Sequence, residues 1–538
     1  MANWFKSILG WFKQPIASGS TPQTDATQPS PSASPAQANL SDKKSKRPLT
    51  FEPSTTPKPE PERAEPSTVT RYQESSALTS LPAPPFSSPQ SVADLTIGFD
   101  LGTSCSKVAV GDSILGSQHG VPFNTRAHGV AKYLFPTRFY EGADGISLSS
   151  GQQAKFVSNL KLRLTEAVEN HGDTSGSETD LAIYVALVLK HTLAWYEQHR
   201  AGDHRARARC WWLSFGFPAK RVDNNPRLHK TYQRFAGAAI QAVNSGEHIT
   251  RELIQHCLGG TPLDGDSKQV LSLDRVSFYP EIAAQLAGYV YSRYRTTGPL
   301  MLIDVGAGTL DISTLILHQN AHEEVCSFHF CEVAQLGAFR LYEQIHHALA
   351  TVSPAAVDTL VSIGSDQDWH VPESAGEYLR AISVVTNPMK AAFHSTRETF
   401  ALKCLEKALS NFSAFKQFLD QPFRDADQRP QAFRQNVNII LSGGGSRAIF
   451  YRKLFPERLE ETVVNSGLTT WKLDPGRRKI DGQGFHPRHL MKPDKFIVSG
   501  VESDDFDRLS VAHGLSLSSE TLLQITAKEM SDRQWNGR

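Results

Sequence analysis

Leu95-Thr-Ile-Gly-Phe-Asp-Leu-Gly-Thr-Ser-Cys-Ser-Lys-Val-Ala-Val-Gly-Asp112 reads as strand, tight turn, strand. Leu95, Ile97 and Phe99 alternate with smaller or polar residues, and Lys107-Val-Ala-Val110 is rich in β-formers. The turn, Asp100-Leu-Gly-Thr-Ser-Cys-Ser106, gathers backbone N–H groups and small hydroxyls around one carboxylate. Such a turn can cradle a phosphate on its N–H donors while the aspartate holds a hydrated Mg²⁺. Taken alone it is equally an ordinary hairpin. A second copy of the pattern changes the balance: Met301-Leu-Ile-Asp-Val-Gly-Ala-Gly-Thr-Leu-Asp-Ile-Ser-Thr-Leu-Ile-Leu317. Asp304 ends its first strand as Asp100 does, Gly306 and Gly308 permit close backbone approach, and Thr309 supplies a hydroxyl. A third stretch, Asn438-Ile-Ile-Leu-Ser-Gly-Gly-Gly-Ser-Arg447, is a strand running into a glycine turn, with a helix expected from about Ala448; a phosphate or sugar beside a helix N-terminus is the physical expectation there.

Outward from these stretches, 538 residues are too many for one simple core, so two to four domains or subdomains are expected. With 56 Lys+Arg against 55 Asp+Glu, charge gives no argument for nucleic acid or an acidic membrane as partner. Cys105, Cys210, Cys257, Cys326, Cys331 and Cys404 form no C-x-x-C pair, which points to a reducing compartment and away from zinc or a disulfide framework. No apolar run has the roughly 18–20 residues of a transmembrane helix.

Residues 1–15 carry Trp4, Phe5, Ile8, Leu9, Trp11 and Phe12 on one broad helical face, with Asn3, Lys6, Ser7, Gly10 and Lys13 opposite. The segment lacks a secretory signal's h-region and cleavage site and reads as a retained docking helix for a membrane surface or a protein partner. Residues 16–92 are dominated by Ser, Thr, Pro, Ala and Gln, with a Lys-rich patch at 43–47, and read as a disordered linker. Beyond them the periodicity predicts a loop at 172–177 and helices over 181–196, 228–242 and 280–294. It also predicts a buried strand over 210–217 ended by Pro218, and a charged, solvated turn at 200–209.

The hairpins at 95–112 and 301–317 and the glycine turn at 442–447, in this order, resemble the phosphate-1, phosphate-2 and adenosine motifs of the actin, heat-shock chaperone and sugar-kinase superfamily. The ATPase domain of the 70-kDa heat-shock chaperones is the nearest branch, through Phe217-Pro-Ala-Lys-Arg, the Arg227…Phe235-Ala-Gly237 helix, the Pro280-Glu-Ile-Ala-Ala284 helix and Leu336-Gly-Ala338. The resemblance covers roughly 93–520. It implies an α/β, two-lobed actin-like ATPase fold with the nucleotide between lobe I, 93–298, and lobe II, 299–538. Residues 508–515 would form a final helix returning to lobe I, and the disordered arm would precede the whole.

By position in that family, Asp100 and Asp304 would hold the waters of Mg²⁺. Gly102, Thr103, Ser104, Gly306, Gly308, Gly337 and Thr309 would surround the β- and γ-phosphates of ATP, and Lys107 would contact a phosphate. Asp311 would position metal or attacking water, Lys161 would match the catalytic lysine, and Gly443, Gly444 and Arg447 would frame the adenosine, the guanidinium lying on the base. Phosphoryl transfer to water needs positioning and charge neutralisation, which such turns and carboxylates supply.

Where the chaperones carry Glu before the proline of the interlobe helix, this chain has Tyr279, with Glu281 nearby, and no β-sandwich peptide-binding domain is expected by Arg538. The resemblance therefore implies a cytoplasmic, chaperone-like ATP hydrolase acting as a nucleotide-dependent switch, peripheral to a membrane if residues 1–15 dock there. A J-domain or exchange-factor partner is implied and no specific nucleic acid is expected. The alternatives are a carbohydrate kinase, which lacks its Gly-Asp-Gln signature here, and an actin-like scaffold or filament subunit recruited by the first helix.

Overall fold

The computed structural model describes residues 92–149, 154–204, 207–218, 225–260, 270–291, 295, 297–317, 326–354, 375–380, 382, 384–420, 437–455, 459 and 490–518. The docking helix 1–15, the linker 16–91, and Ala219, Lys220 and Arg221 of the chaperone-like motif lie outside the described residues. All described residues belong to one compact unit, 65–538.

The chain is mixed α/β with several sheets. It opens with β1 (Ala93–Asp100), β2 (Cys105–Asp112), β3 (Ser117–Gly120) and a short β4 (Phe135–Pro136), followed by β5 (Phe139–Gly142), β6 (Gly145–Ser147) and β7 (Lys155–Val157). Next come α1 (Leu160–Glu169), α2 (Ser175–His199), β8 (Arg209–Phe217), α3 (Pro226–Asn244), α4 (Arg251–Leu258), β9 (Val276–Pro280) and α5 (Glu281–Val290). The remainder is β10 (Gly298–Val305), β11 (Leu310–Leu317), β12 (Cys326–Ala334), α6 (Ala338–Val352), α7 (Ala375–Tyr378), α8 (Asn387–Asp420), β13 (Asn438–Ser442), α9 (Ile449–Lys453), β14 (Phe496–Ile497) and α10 (Ser510–Leu515).

Both sequence-predicted hairpins form. Asp100 pairs with Lys107 across β1 and β2, and Asp304 with Asp311 across β10 and β11. Among the described residues the first sheet runs β14-β3-β2-β1-β8-β9 and the second β12-β11-β10-β13. In each, a hairpin is flanked by a third, antiparallel strand on one side and a parallel strand on the other. The second sheet thus repeats the strand order and senses of the first. Asp100, Asp304 and Ser442 all stand at carboxyl ends of parallel strands, the end at which open α/β sheets bind ligands.

The period of two sorts the core. Met301, Ile303 and Val305 of β10 pack with α6 and α8, whereas Leu300 and Leu302 face the opposite cluster with α5 and α10. Small residues bring α10 onto α5: a methyl group on Gly514 would collide with the Ala284 carbonyl, and one on Gly98 with the backbone of 512–516. The helix that closes the described chain therefore lies on α5 and on the first sheet.

The structure departs from the sequence reading at several edges. The predicted loop at 172–177 already contains the start of α2, because the Asp173 carboxylate accepts hydrogen bonds from Ser175 N and Oγ and turns the chain into the helix. The predicted helix 280–294 begins at Glu281, since Pro280 completes β9 beside Phe217, and it ends at Val290. The predicted final helix 508–515 is split: a 3-10 turn covers Ser503–Arg508 before α10 starts at Ser510. Within 200–209, Arg200 pairs with Asp203 and Arg209 joins β8, but His204 is buried against Asp112 instead of being solvated. None of the six cysteines is in a disulfide, and among the described residues no helix is long and apolar enough to cross a membrane.

His513 sits at the α10–α5 joint, buried between the rings of Phe496 and Phe506, with neither ring nitrogen hydrogen-bonded among the described residues. Burial pushes its pKa down to about 3. A histidine lowered in the folded state stabilises above its unfolded pKa of about 6.5 and loses that contribution as pH falls toward the folded value. The loss of unfolding free energy between pH 7 and pH 5, read from urea titrations, is expected to be about 2 kcal/mol smaller in His513→Leu than in the parent chain. Identical pH dependence in the two proteins would place the acid-labile group elsewhere.

Candidate functional site

The two hairpin turns face one another. A methyl group on Gly308 of the second turn would come within 3.1 Å of Thr103 Oγ1 in the first, and within 3.0 Å of Leu162 of α1. The backbone N–H groups of Thr103 and Ser104, and of Ala307, Gly308 and Thr309, donate no hydrogen bond among the described residues. Opposed clusters of free backbone donors form an anion-binding concavity. The second turn is held open from behind: the N–H groups of Gly337, Ala338 and Phe339, where α6 begins, donate to the carbonyls of Gly308, Gly306 and Ala307. Those bonds engage three of the N–H groups at the start of α6. In the first turn Thr137 donates from Oγ1 to Gly102 O at 2.8 Å.

Charged groups converge below the turns. Lys107 Nζ donates to Asp100 Oδ2 at 2.9 Å, and Lys161 Nζ to Glu281 Oε1 at 2.8 Å. Gln285, one turn beyond Glu281 on α5, donates from Nε2 to Asp304 Oδ2 and to Ser442 Oγ, the latter at 3.0 Å. Thr309 Oγ1 lies 3.4 Å from Asp311 Oδ2, while Asp311 Oδ1 is buried with no partner among the described residues.

Burial lifts the Asp304 carboxyl to about 7 despite the Gln285 hydrogen bond and the Lys107 charge, and burial beside Asp304 lifts Asp311 well above the usual carboxylate range. Burial pulls Lys161 down, but the Glu281 carboxylate outweighs it and leaves the ammonium above its ordinary value. Four carboxylates, Asp100, Glu281, Asp304 and Asp311, thus share a buried region with two ammonium groups, Lys107 and Lys161.

The glycine turn meets this cluster. Gly443 has φ +86°, and any side chain there would collide with Asp304 Oδ1 and the Val305 carbonyl, so only glycine lets β13 turn away over Asp304. Gly444 lies against Arg508, whose Nε is 3.6 Å from a methyl placed there. Arg447 is held by Asp505 and Asp507 and by the Asp504 carbonyl. Its edges are engaged by the acidic turn Ser503–Arg508, and a guanidinium so held still offers its faces for stacking.

The structure thus gathers Asp100, Thr103, Lys107, Lys161, Asp304, Gly308, Thr309, Asp311 and Gly443 around one point. Arg447 stands to the side with its own carboxylates. The sequence reading missed Gln285 and Ser442. The signal for Gln285 is its isolation as the one uncharged polar side chain inside Ala283-Ala-Gln-Leu-Ala-Gly288, an otherwise apolar run that is wholly buried. Among the described residues no three His, Cys, Asp or Glu side chains form a direct metal-ligand set. No family model matches the chain, and no curated protein matches it in sequence.

Asp304 carries a folding cost that its replacement exposes. A carboxyl raised in the folded state weakens folding progressively as pH climbs from its unfolded pKa of about 4 to its folded value. Asp304→Asn, which keeps an acceptor for Gln285, is expected to raise the unfolding free energy at pH 8 in EDTA by up to ~4 kcal/mol, with no gain at pH 4. Chemical denaturation at the two pH values measures this; a destabilised variant at pH 8 would mean that the charge is neutralised in the folded chain.

Proposed function

We propose that this chain is a two-lobed, actin-like ATPase of the chaperone-related kind. Lobe I spans 93–298 and lobe II 299–538, ATP and Mg²⁺ bind where the two hairpin turns meet, and slow hydrolysis switches the lobes for a partner. The observation that carries the reading is the pair of repeated sheets presenting two facing turns of unpartnered N–H groups, each turn rooted beside an aspartate.

The donor set fits Mg²⁺. That ion favours one or two carboxylates, waters and phosphate oxygens over an all-protein cage. Asp100 and Asp304 would hold it through water, and when bound it would neutralise phosphate charge. The excess of buried carboxylate over ammonium is the environment in which a dication lowers the cost of burial.

The chain's own groups account for the rest. Thr103, Ser104, Gly308 and Thr309 would cradle the phosphates through N–H and hydroxyl groups, with Gly102, Gly306 and Gly337 giving the turns their close approach. Lys107 would exchange Asp100 for a phosphate oxygen. In hydrolysis the oxygen of water bonds to the γ-phosphorus, the bond to the β–γ bridging oxygen breaks, and ADP leaves with that oxygen. Asp311 Oδ1, buried and unpartnered, would accept the hydrogen bond of that water and orient it. Gln285 holds Asp304 in place from α5. Gly443 and Gly444 would flank the adenosine, and the face of Arg447 would lie on the base.

Calorimetry of the full chain with ATP is expected to show binding that requires Mg²⁺, and phosphate release is expected to be slow and to need no sugar. No heat at millimolar Mg·ATP would end this reading. Sugar-dependent ADP production would replace it with a kinase, and nucleotide-dependent sedimentation with a filament subunit.

Residues 1–15 are proposed to attach this cytoplasmic ATPase to a membrane surface or a partner groove, because a short segment bearing two tryptophans, two phenylalanines and two lysines folds best on contact. A J-domain or exchange-factor protein is the partner class that suits such a switch. Flotation with anionic liposomes and pull-downs are expected to separate the full chain from one lacking residues 1–15. Identical behaviour of both would assign the segment to the fold.

A further inference from the structure

Lys161 and Glu281 are 120 residues apart in sequence and meet at 2.8 Å in a part-buried contact. Lys161 stands in the fields of Asp100 on one hairpin and Asp311 on the other, and its neighbour Leu162 touches the second turn. The pair therefore lies at the meeting point of the turns. Glu281 Oε1 is the only hydrogen-bond acceptor of Lys161 Nζ among the described residues, so two of the three ammonium donors stay unused.

Glu281 is fixed more firmly than Lys161. It occupies the first turn of α5, where the helix dipole favours a carboxylate, and its Cγ fills the space over Gly216 of β8, 2.9 Å from where a methyl would stand. One turn along the same helix, Gln285 binds Asp304 and Ser442. Lys161, by contrast, is a flexible four-carbon stem on α1 with a point charge at its tip. Tyr232 brings a buried hydroxyl, without a partner among the described residues, next to the pair.

We propose that Glu281 is a positioning residue that competes with the terminal phosphate of ATP for Lys161. The Lys161–Glu281 pair would open when a triphosphate enters and re-form when only a diphosphate remains. This inference rests on the ATP reading above. It makes the carboxylate a stand-in for the γ-phosphate in the empty and ADP states, so Glu281 sets how strongly the protein distinguishes ATP from ADP. A purely structural ion pair would affect both nucleotides alike.

The test is equilibrium binding of Mg·ATP and Mg·ADP to the full chain in four forms: parent, Glu281→Gln, Lys161→Met and the double variant. Glu281→Gln frees the ammonium and is expected to raise the ATP-to-ADP affinity ratio about tenfold, the scale of one charge-assisted hydrogen bond. The double variant is expected to show the same ratio as Lys161→Met alone. A parent chain that binds neither nucleotide refutes the ATP reading itself. A parent that binds ATP, with a ratio unmoved by Glu281→Gln or still raised by it in the Lys161→Met background, refutes the competition alone. Should Glu281→Gln fail to fold, Glu281→Asp keeps the charge but shortens the reach. It is expected to shift the ratio in the same direction, and an unshifted ratio there counts equally against the proposal.

Discussion

Buried carboxylate charge is the constraint around which the described chain is arranged. Asp304 and Asp311 sit opposite each other on one hairpin, both only partly exposed, and among the described residues no lysine or arginine is hydrogen-bonded to either. Such a placement costs several kcal/mol unless surrounding dipoles and charges offset it. The Gln285 amide, the Thr309 hydroxyl and the fields of Lys107 and Lys161 are that offset, and each comes from a different part of the chain. Helix α5 contributes through Gln285 only because α10 presses it against the sheets, and that contact in turn needs Gly514. Removing any of these elements leaves the two carboxylates with less compensation.

The two hairpins and the glycine turn were legible because their information is local. Alternation of Leu95, Ile97 and Phe99, and of Met301, Ile303 and Val305, follows from the period of a strand, and an aspartate before a glycine-containing turn ends each. The candidate site was legible to the same extent: hairpin pairing alone puts Asp100 beside Lys107 and Asp304 beside Asp311, whereas the meeting of the two pairs is set by packing. The partners Gln285 and Ser442, and the link from Lys161 to Glu281, were not legible, because helix and strand packing across more than a hundred residues sets them. Sequence alone also ended the 280–294 helix too late, since nothing local distinguishes its last turn. The arginines of 200–209 make the stretch read as a solvated turn, yet Asp112 draws His204 inside.

Helix α1 shows how one short element serves two environments. Leu160, Leu164 and Val168, spaced by four, belong to the core under the first sheet, while Leu162 belongs to the core under the second. Glu166, four residues on from Leu162, pairs with Arg340 of α6 at 2.6 Å. The same helix carries Lys161. A ten-residue helix with apolar residues on opposite sides is a poor amphipath by sequence, and that ambiguity is what lets it touch both sheets.

The exchange of helices between the sheets also has a consequence for how the chain can be divided. Helix α5 precedes the second sheet in sequence but supplies Gln285 to it, whereas α10 follows that sheet yet covers β1 and β2 of the first. Cutting the chain between β9 and β10 would leave each fragment with an apolar surface whose cover lies on the other piece. Neither fragment is a self-sufficient folding unit, and native structure would return only on complementation of the two. The order of synthesis then matters: β1, β2, β3, β8 and β9 of the first sheet emerge from the ribosome more than 200 residues before α10 can cap them.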